Sequence, residues 1–147
     1  MSQLIKKQFE LTRTNIFKSI EGVNEQTFDV APKGFNNTIH WQLGHILVAA
    51  EKFLFGESGK LSAEYGEFFG YGTKPADWKG EAPSVAALVE QLKDQLNRIQ
   101  EIPDEKFKEK LPEPILGNTT YGELAAFTVF HEALHAGQIH AMTRFLG

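Results

Sequence analysis

Four stretches of this sequence repeat apolar residues at three- and four-residue steps, whereas runs alternating apolar and polar residues are few and isolated. That pattern restricts the chain to helices packed on helices. The sharpest case is "SVAALVEQLKDQLNRIQEI", which begins at Ser84, aligns Leu88, Leu92, Leu96 and Ile99 on one stripe, and is ended by Pro103. The first stretch, Ser2 to Gly22, carries Leu4, Phe9, Leu11, Ile16, Phe17 and Ile20, with Gly22 as its stop. The second runs from Thr38 to Phe55, with Asn36 or Asn37 as N-cap and Gly56 at its end. The fourth opens at a capping box, Thr120 to Glu123, and continues to about Phe145.

The connections are unequal. "PDEKFKEKLPEPILGNT", which starts at Pro103, reads as loop with one short turn. Residues Glu57 to Pro83 form a long polar, aromatic and glycine-rich connection, of a length that in compact domains often marks a lid or binding loop. Its aromatic residues, Tyr65, Phe68, Phe69, Tyr71 and Trp78, also suit a strap that covers one end of the core. The expected fold is all-α: a four-helix bundle with a long crossover connection, in which a site is built from side chains facing inward on different helices.

With 147 residues the chain fits a single domain, 1–147, able to bury about two-thirds of the surface its unfolded form exposes. Cysteine is absent, so there is no disulfide framework, no thiolate ligand and no cysteine nucleophile. Any metal is therefore held by nitrogen and oxygen. The start, "MSQLIKKQFELTRTN", carries charges throughout and lacks the apolar run of a signal peptide, and no segment reaches the length of a membrane span. These features predict a soluble, cytoplasmic protein. A formal charge of −4 supplies no basic footprint for nucleic acid.

Three of the five histidines fall within "HEALHAGQIH", residues 131 to 140. His131 and His135, four apart on a helix, lie on one face and can converge on one ion. Phe127, Leu134 and Gln138 share that side, with Leu124 above and Met142 below, so the pair points toward the apolar side. Buried imidazoles need partners for their nitrogens, and two charged neighbours repel; a shared metal meets both demands, and hydrogen bonding in the core is the plainer alternative. The third ligand is His45, a lone polar side chain in "LGHILVAA". His40 lies about 140° around the helix from His45 and is assigned to capping or the surface. His140 is about half a turn out of phase with His131.

Residues 131–135 also match H-E-x-x-H, the zincin helix. The extended form needs glycine at 138 and histidine at 141, but those positions hold Gln138 and Ala141. No acidic residue follows Ala136 to serve as the third ligand of the other zincin arrangement, and no strand is evident to align a peptide. A protease is thereby disfavoured. Glu132, about 100° from His131, becomes a surface residue or a supporter of the ligands.

A helix with "WQLGHI", a long crossover and a last helix with "HEALHAGQI" together resemble the DinB-like (DinB/YfiT-like) metalloenzyme superfamily over nearly the whole chain. The resemblance implies a four-helix bundle that holds a divalent metal through His45, His131 and His135, the residues already chosen on helix phase. His135, Gly137 and Gln138 form the more specific part of the match. It also implies thiol-dependent S-transfer with bacillithiol or mycothiol, or a mycothiol-dependent isomerisation, among family members, and a homodimer; the family's name, taken from DNA-damage-inducible genes, does not imply DNA binding.

The leading expectation is a metal-dependent enzyme, either an S-transferase of the bacillithiol type or a related hydrolase, acting on a small molecule. Three neutral imidazoles leave a divalent ion its full charge and open positions, which lower the pKa of a bound thiol or water. Zinc is the first choice and nickel the second. Lacking cysteine, the protein would take a low-molecular-weight thiol as cosubstrate. Gln138 is a candidate second contact, and Tyr71 and Trp78 are candidates to close over the site. Two rivals remain: a non-catalytic bundle that binds metal or a small ligand, and a structural dimer whose histidines only pack.

Overall fold

A computed structural model describes all residues, 1–147. Four long helices form the bundle: α1 (Ser2–Ile20), α2 (Ile39–Ala50), α4 (Val85–Gln100) and α5 (Tyr121–Leu146), with a short α3 (Ala63–Phe69) inside the crossover. Contacts along the chain give their directions. Arg13 and Ser19 of α1 meet Glu132 and His140 of α5, so these two run parallel. Lys6 and Arg13 meet Ile102 and Leu92, so α4 runs against α1; Leu47 and Glu51 meet Gln95 and Arg98, so α2 and α4 run together. Up, down, down, up is the resulting order, and the down–down step is what requires the long crossover from α2 to α4.

Three of the long helices, α2, α4 and α5, start where a side chain accepts a free N–H group. Ser84 accepts from Ala87 N–H at 3.1 Å, and Thr120 and Glu123 close the expected capping box. α2 is capped by Thr38, whose hydroxyl accepts from Trp41 N–H at 3.1 Å, and not by Asn36 or Asn37. Asn37 instead accepts from the Gln42 side chain. A π-helical turn, Glu51–Phe55, continues α2 and rotates Glu51 into the interior.

The buried stripe of α1 is Ile5, Lys6, Phe9, Thr12, Arg13 and Ile16, whereas Leu4 and Leu11 are exposed. The apolar spacing points to a face that is rotated from the real one, because the real stripe contains an arginine. On α4 the expected Leu88, Leu92 and Ile99 are buried, Leu96 is half-buried, and Gln95 joins them.

Residues after Pro103 are more ordered than loop. A 3-10 turn, Asp104–Lys108, leads into an antiparallel hairpin of β1 (Lys110–Ile115) and β2 (Asn118–Thr120), pairing Lys110 with Thr120 and Ile115 with Asn118. Leu116 and Gly117 close it with φ of 50° and 81°, both positive as a two-residue type I′ turn demands. Leucine at such a position hides the turn from sequence signals. The hairpin lies at the rim, with Pro112 and Pro114 exposed on a strand that needs no further partner.

The interior has two apolar layers with a polar one between. One layer gathers Ile16, Leu43, Ile46, Leu47, Phe69, Leu88, Leu92, Ile139 and Met142; the other gathers Ile5, Phe9, Leu54, Ile99, Phe107, Tyr121 and Val129. Arg13, Glu51, Gln95 and Glu132 sit at the intervening positions of the four helices, and all are at most 5% exposed. No buried side-chain nitrogen or oxygen lacks a partner. That complete pairing makes a buried ionic layer tolerable.

Candidate metal centre

α2 and α5 run antiparallel, which brings the middle of one helix to the middle of the other. His45 faces His131 with Nε2 to Nε2 at 3.2 Å, and the ring centres of His45, His131 and His135 lie 4.6 to 5.0 Å apart. One nitrogen from each of the three falls within 4.8 Å of the other two, so the cluster could hold a metal ion. Two imidazole nitrogens on one tetrahedral ion, at bonds of about 2.05 Å, are separated by roughly 3.3 Å. The His45–His131 spacing already matches.

Ring orientation is fixed from behind. His45 Nδ1–H donates to the carbonyl of Phe69 at 2.9 Å, which leaves its Nε2 lone pair toward the cluster. His135 Nδ1–H donates to Gln42 Oε1. The Gln42 amide is itself fixed, because its Nε2 donates to Asn37 Oδ1 at 3.0 Å and to Gln138 Oε1 at 2.6 Å, so only its oxygen can face His135. Trp41 stacks on His45 at 4.6 Å with planes 10° apart, and its indole N–H donates to Thr73 of the crossover.

Burial holds all three rings below the ordinary histidine range. Desolvation is the largest cause for each; for His45 the Phe69 carbonyl partly offsets it, and for His131 the charge of His45 adds to it. His135, with both neighbouring rings against its protonation, is pushed down to about 3. Neutral rings are what a divalent ion requires of its ligands.

His45 is buried, while His131 and His135 are half-buried and give the cluster one open side. That side is apolar. Phe127 lies over His131 at 6.5 Å, Phe53 and Phe130 adjoin Phe127, and Phe130 and Leu134 are 57% and 54% exposed. Leu134 thus faces outward and not into the core face shared by the histidines.

The other sequence candidates separate from the cluster. His40 is buried, neither cap nor surface: its Nδ1 lies 2.8 Å from Asp29 Oδ1 and its Nε2 2.7 Å from the Pro83 carbonyl, tying the end of the crossover to α2. His140 is exposed beside Ser19, out of phase as expected. Glu132 is 1% exposed and accepts from Thr12 and Arg13, so it neither lies on the surface nor faces the cluster as a protease base. Tyr71 is 98% exposed and Trp78 packs on Phe68, Phe69 and His40; neither covers the histidines. Gln138 reaches His135 only through Gln42.

Gln42 and the Phe69 carbonyl are the participants that periodicity does not reveal. A glutamine three residues before His45 in an otherwise apolar run was the available signal for the first. A backbone carbonyl leaves none.

The family model of the DinB superfamily matches residues 8–139. The chain belongs to this superfamily. Its all-α architecture agrees with that of a conserved protein from Enterococcus faecalis known from a crystal structure: the two share 12% identity and superpose with a TM-score of 0.72 over 99% of this chain and 96% of that one. At that identity the likeness shows a shared fold alone. No curated protein matches the sequence. No helix is long and apolar enough to cross a membrane.

Proposed function

We propose that this DinB-superfamily protein is a divalent-metal-dependent enzyme with His45, His131 and His135 as its ligands. Thiol-dependent S-transfer is the leading reaction and metal-dependent hydrolysis the second. The convergence of three neutral imidazoles, two of them held by Nδ1–H bonds to oxygen, carries the reading. A divalent ion, zinc first and nickel second, supplies when bound the positive charge that lowers the pKa of an adjacent thiol or water.

The chain's own residues prepare that chemistry. The Phe69 carbonyl and Gln42 hold the Nε2 atoms of His45 and His135 forward. Trp41 against His45 and Phe127 against His131 place apolar surface on the rings, which lowers the local dielectric and strengthens electrostatic effects at the site. With no cysteine in the chain, the transferred sulfur comes from a low-molecular-weight thiol cosubstrate of the bacillithiol type. Exposed Phe130 and Leu134 on α5, with Leu4 and Leu11 on α1, support a homodimer. The lack of cysteine also suits the cytoplasm.

Elemental analysis of the purified protein, beside His45→Ala and His131→Ala, tests the ligand set. About one metal per chain in the wild type and little in either variant is expected, followed by metal-dependent loss of free thiol when a small thiol and an electrophile are supplied. A folded wild type that takes up neither zinc nor nickel overturns the proposal; metal without thiol consumption overturns the S-transfer part.

A further inference from the structure

α5 is apolar on nearly every side. Leu124, Ala125, Val129, Ile139 and Met142 are buried, yet Ala126, Phe130, Ala133, Leu134 and Ala141 are exposed. Burial of apolar surface alone discriminates poorly between rotations of such a helix, because a turn about its axis exchanges one apolar stripe for another. α4 differs: Glu90, Lys93, Asp94 and Asn97 keep its outer face in water. Some other interaction selects the rotation of α5 that aims His131 and His135 at His45.

The side chain able to do so is Glu132. Its carboxylate accepts from Arg13 Nε and Nη2, both at 2.9 Å, and from the Thr12 hydroxyl at 2.6 Å. The guanidinium, wholly buried, also donates to the Leu92 carbonyl at 2.7 Å and to Gln95 Oε1 at 2.6 Å. Any sizeable rotation of α5 parts Glu132 from these donors and leaves the Arg13 charge buried with only the neutral Leu92 carbonyl and Gln95 as partners, an arrangement far more costly than exchanging apolar stripes. Glu132 is next to His131 and three residues before His135, so what holds it holds both rings.

The same chain of bonds reaches the opposite half of the centre. Gln95 donates from Nε2 to the Leu47 carbonyl at 3.0 Å and to Glu51 Oε1 at 2.8 Å, and both acceptors belong to the helical rod that carries His45. Glu51 is clamped by Arg98 and by the Lys60 N–H at the start of the crossover. We infer that Arg13 and Glu132 are positioning residues of the histidine centre, setting the rotation of α5 through a buried network that ties it to α2. The zinc readout of this inference rests on the metal-binding reading above; the geometric one does not.

The test is a double variant, Arg13→Met with Glu132→Met, which replaces the ions with apolar chains of similar length. Buried pairs so replaced often leave stability unchanged or raised. Leu88→Ala, at a fully buried position of α4 with no hydrogen bond to Arg13 or Glu132, serves as the control that loosens the core without touching the pair. Three quantities are measured on the full chain: melting temperature, zinc dissociation constant, and, without metal, NOEs between the ring protons of His45 and those of His131 and His135. The expected result is a double variant that melts near or above the wild type, binds zinc at least about tenfold more weakly and loses the NOEs. The Leu88→Ala protein should melt lower and retain both. A double variant with intact NOEs and wild-type zinc affinity overturns the inference. Should it fail to fold, Arg13→Lys, which keeps the charge and discards the planar fork, decides instead: weakened NOEs support the inference and unchanged ones overturn it. A wild type that shows the NOEs but takes up no zinc refutes the metal reading alone.

Discussion

Gly44 lies inside α2, where glycine costs about 1 kcal/mol relative to alanine and so requires a packing reason. A Cβ at this position would stand 2.2 Å from both Cγ and Cδ1 of Phe69, against an ordinary carbon–carbon contact of roughly 3.5 Å. Phe69 is fully buried, and its own carbonyl holds His45 Nδ1. Gly44→Ala must therefore displace the ring. Overpacking of this kind costs about 1–3 kcal/mol, and complete loss of the phenyl packing, at about 3–5 kcal/mol, is the ceiling. After the helix-propensity gain of about 1 kcal/mol a net loss of about 2 kcal/mol is expected, or roughly 4–8 °C in melting temperature for a chain of this size. The assay is urea unfolding followed by circular dichroism, in a cycle with Phe69→Ala. Once the ring is gone, Gly44→Ala should cost nothing or stabilise by up to about 1 kcal/mol, a coupling of roughly 2–3 kcal/mol. Equal costs in the two backgrounds would show that the ring does not explain the glycine.

Two further outcomes follow from the supports of the cluster. Gln42→Ala removes the acceptor that fixes the His135 tautomer, so zinc affinity measured against a chromophoric chelator should fall by about 10- to 100-fold; an unchanged constant would remove Gln42 from the site. In the metal-free protein, all three rings are depressed below the ordinary value of 6.5, so the unfolded chain binds protons that the folded chain refuses. Stability should therefore decrease as pH falls below about 6.5, by at most about 1.4 kcal/mol per pH unit per ring, with the His135 contribution continuing toward its depressed value near 3. Urea midpoints that stay level from pH 7 to 5 would contradict this.

Periodicity placed the four long helices and paired His131 with His135, because residues four apart on a helix share a face whatever that helix packs against, and His45 joined them as the lone polar side chain in an apolar run. It misplaced what depends on a partner's identity. Leu4 and Leu11 satisfy the spacing but lie outside, since the inward face beside them is taken by Ile5 and Lys6 in one case and by Thr12 and Arg13 in the other. His40 read as a capping or surface residue and is buried, because Asp29 and Pro83, distant in sequence, supply oxygens for both ring nitrogens. The hairpin after Pro103 escaped because its turn places leucine, and not the usual asparagine or glycine, at a positive φ.

The sequence by itself determined the all-α class, the crossover and the three histidines, through local periodicity, capping and the scarcity of alternatives for a polar side chain in an apolar run. Only the tertiary structure decided which side of α5 faces inward, that Glu132 joins Arg13 and not the histidines, and that Gln42 and the Phe69 carbonyl hold the rings. Those outcomes depend on pairing between groups 24 to 119 residues apart. Spacing along one helix cannot encode the position of a partner on another; packing supplies it.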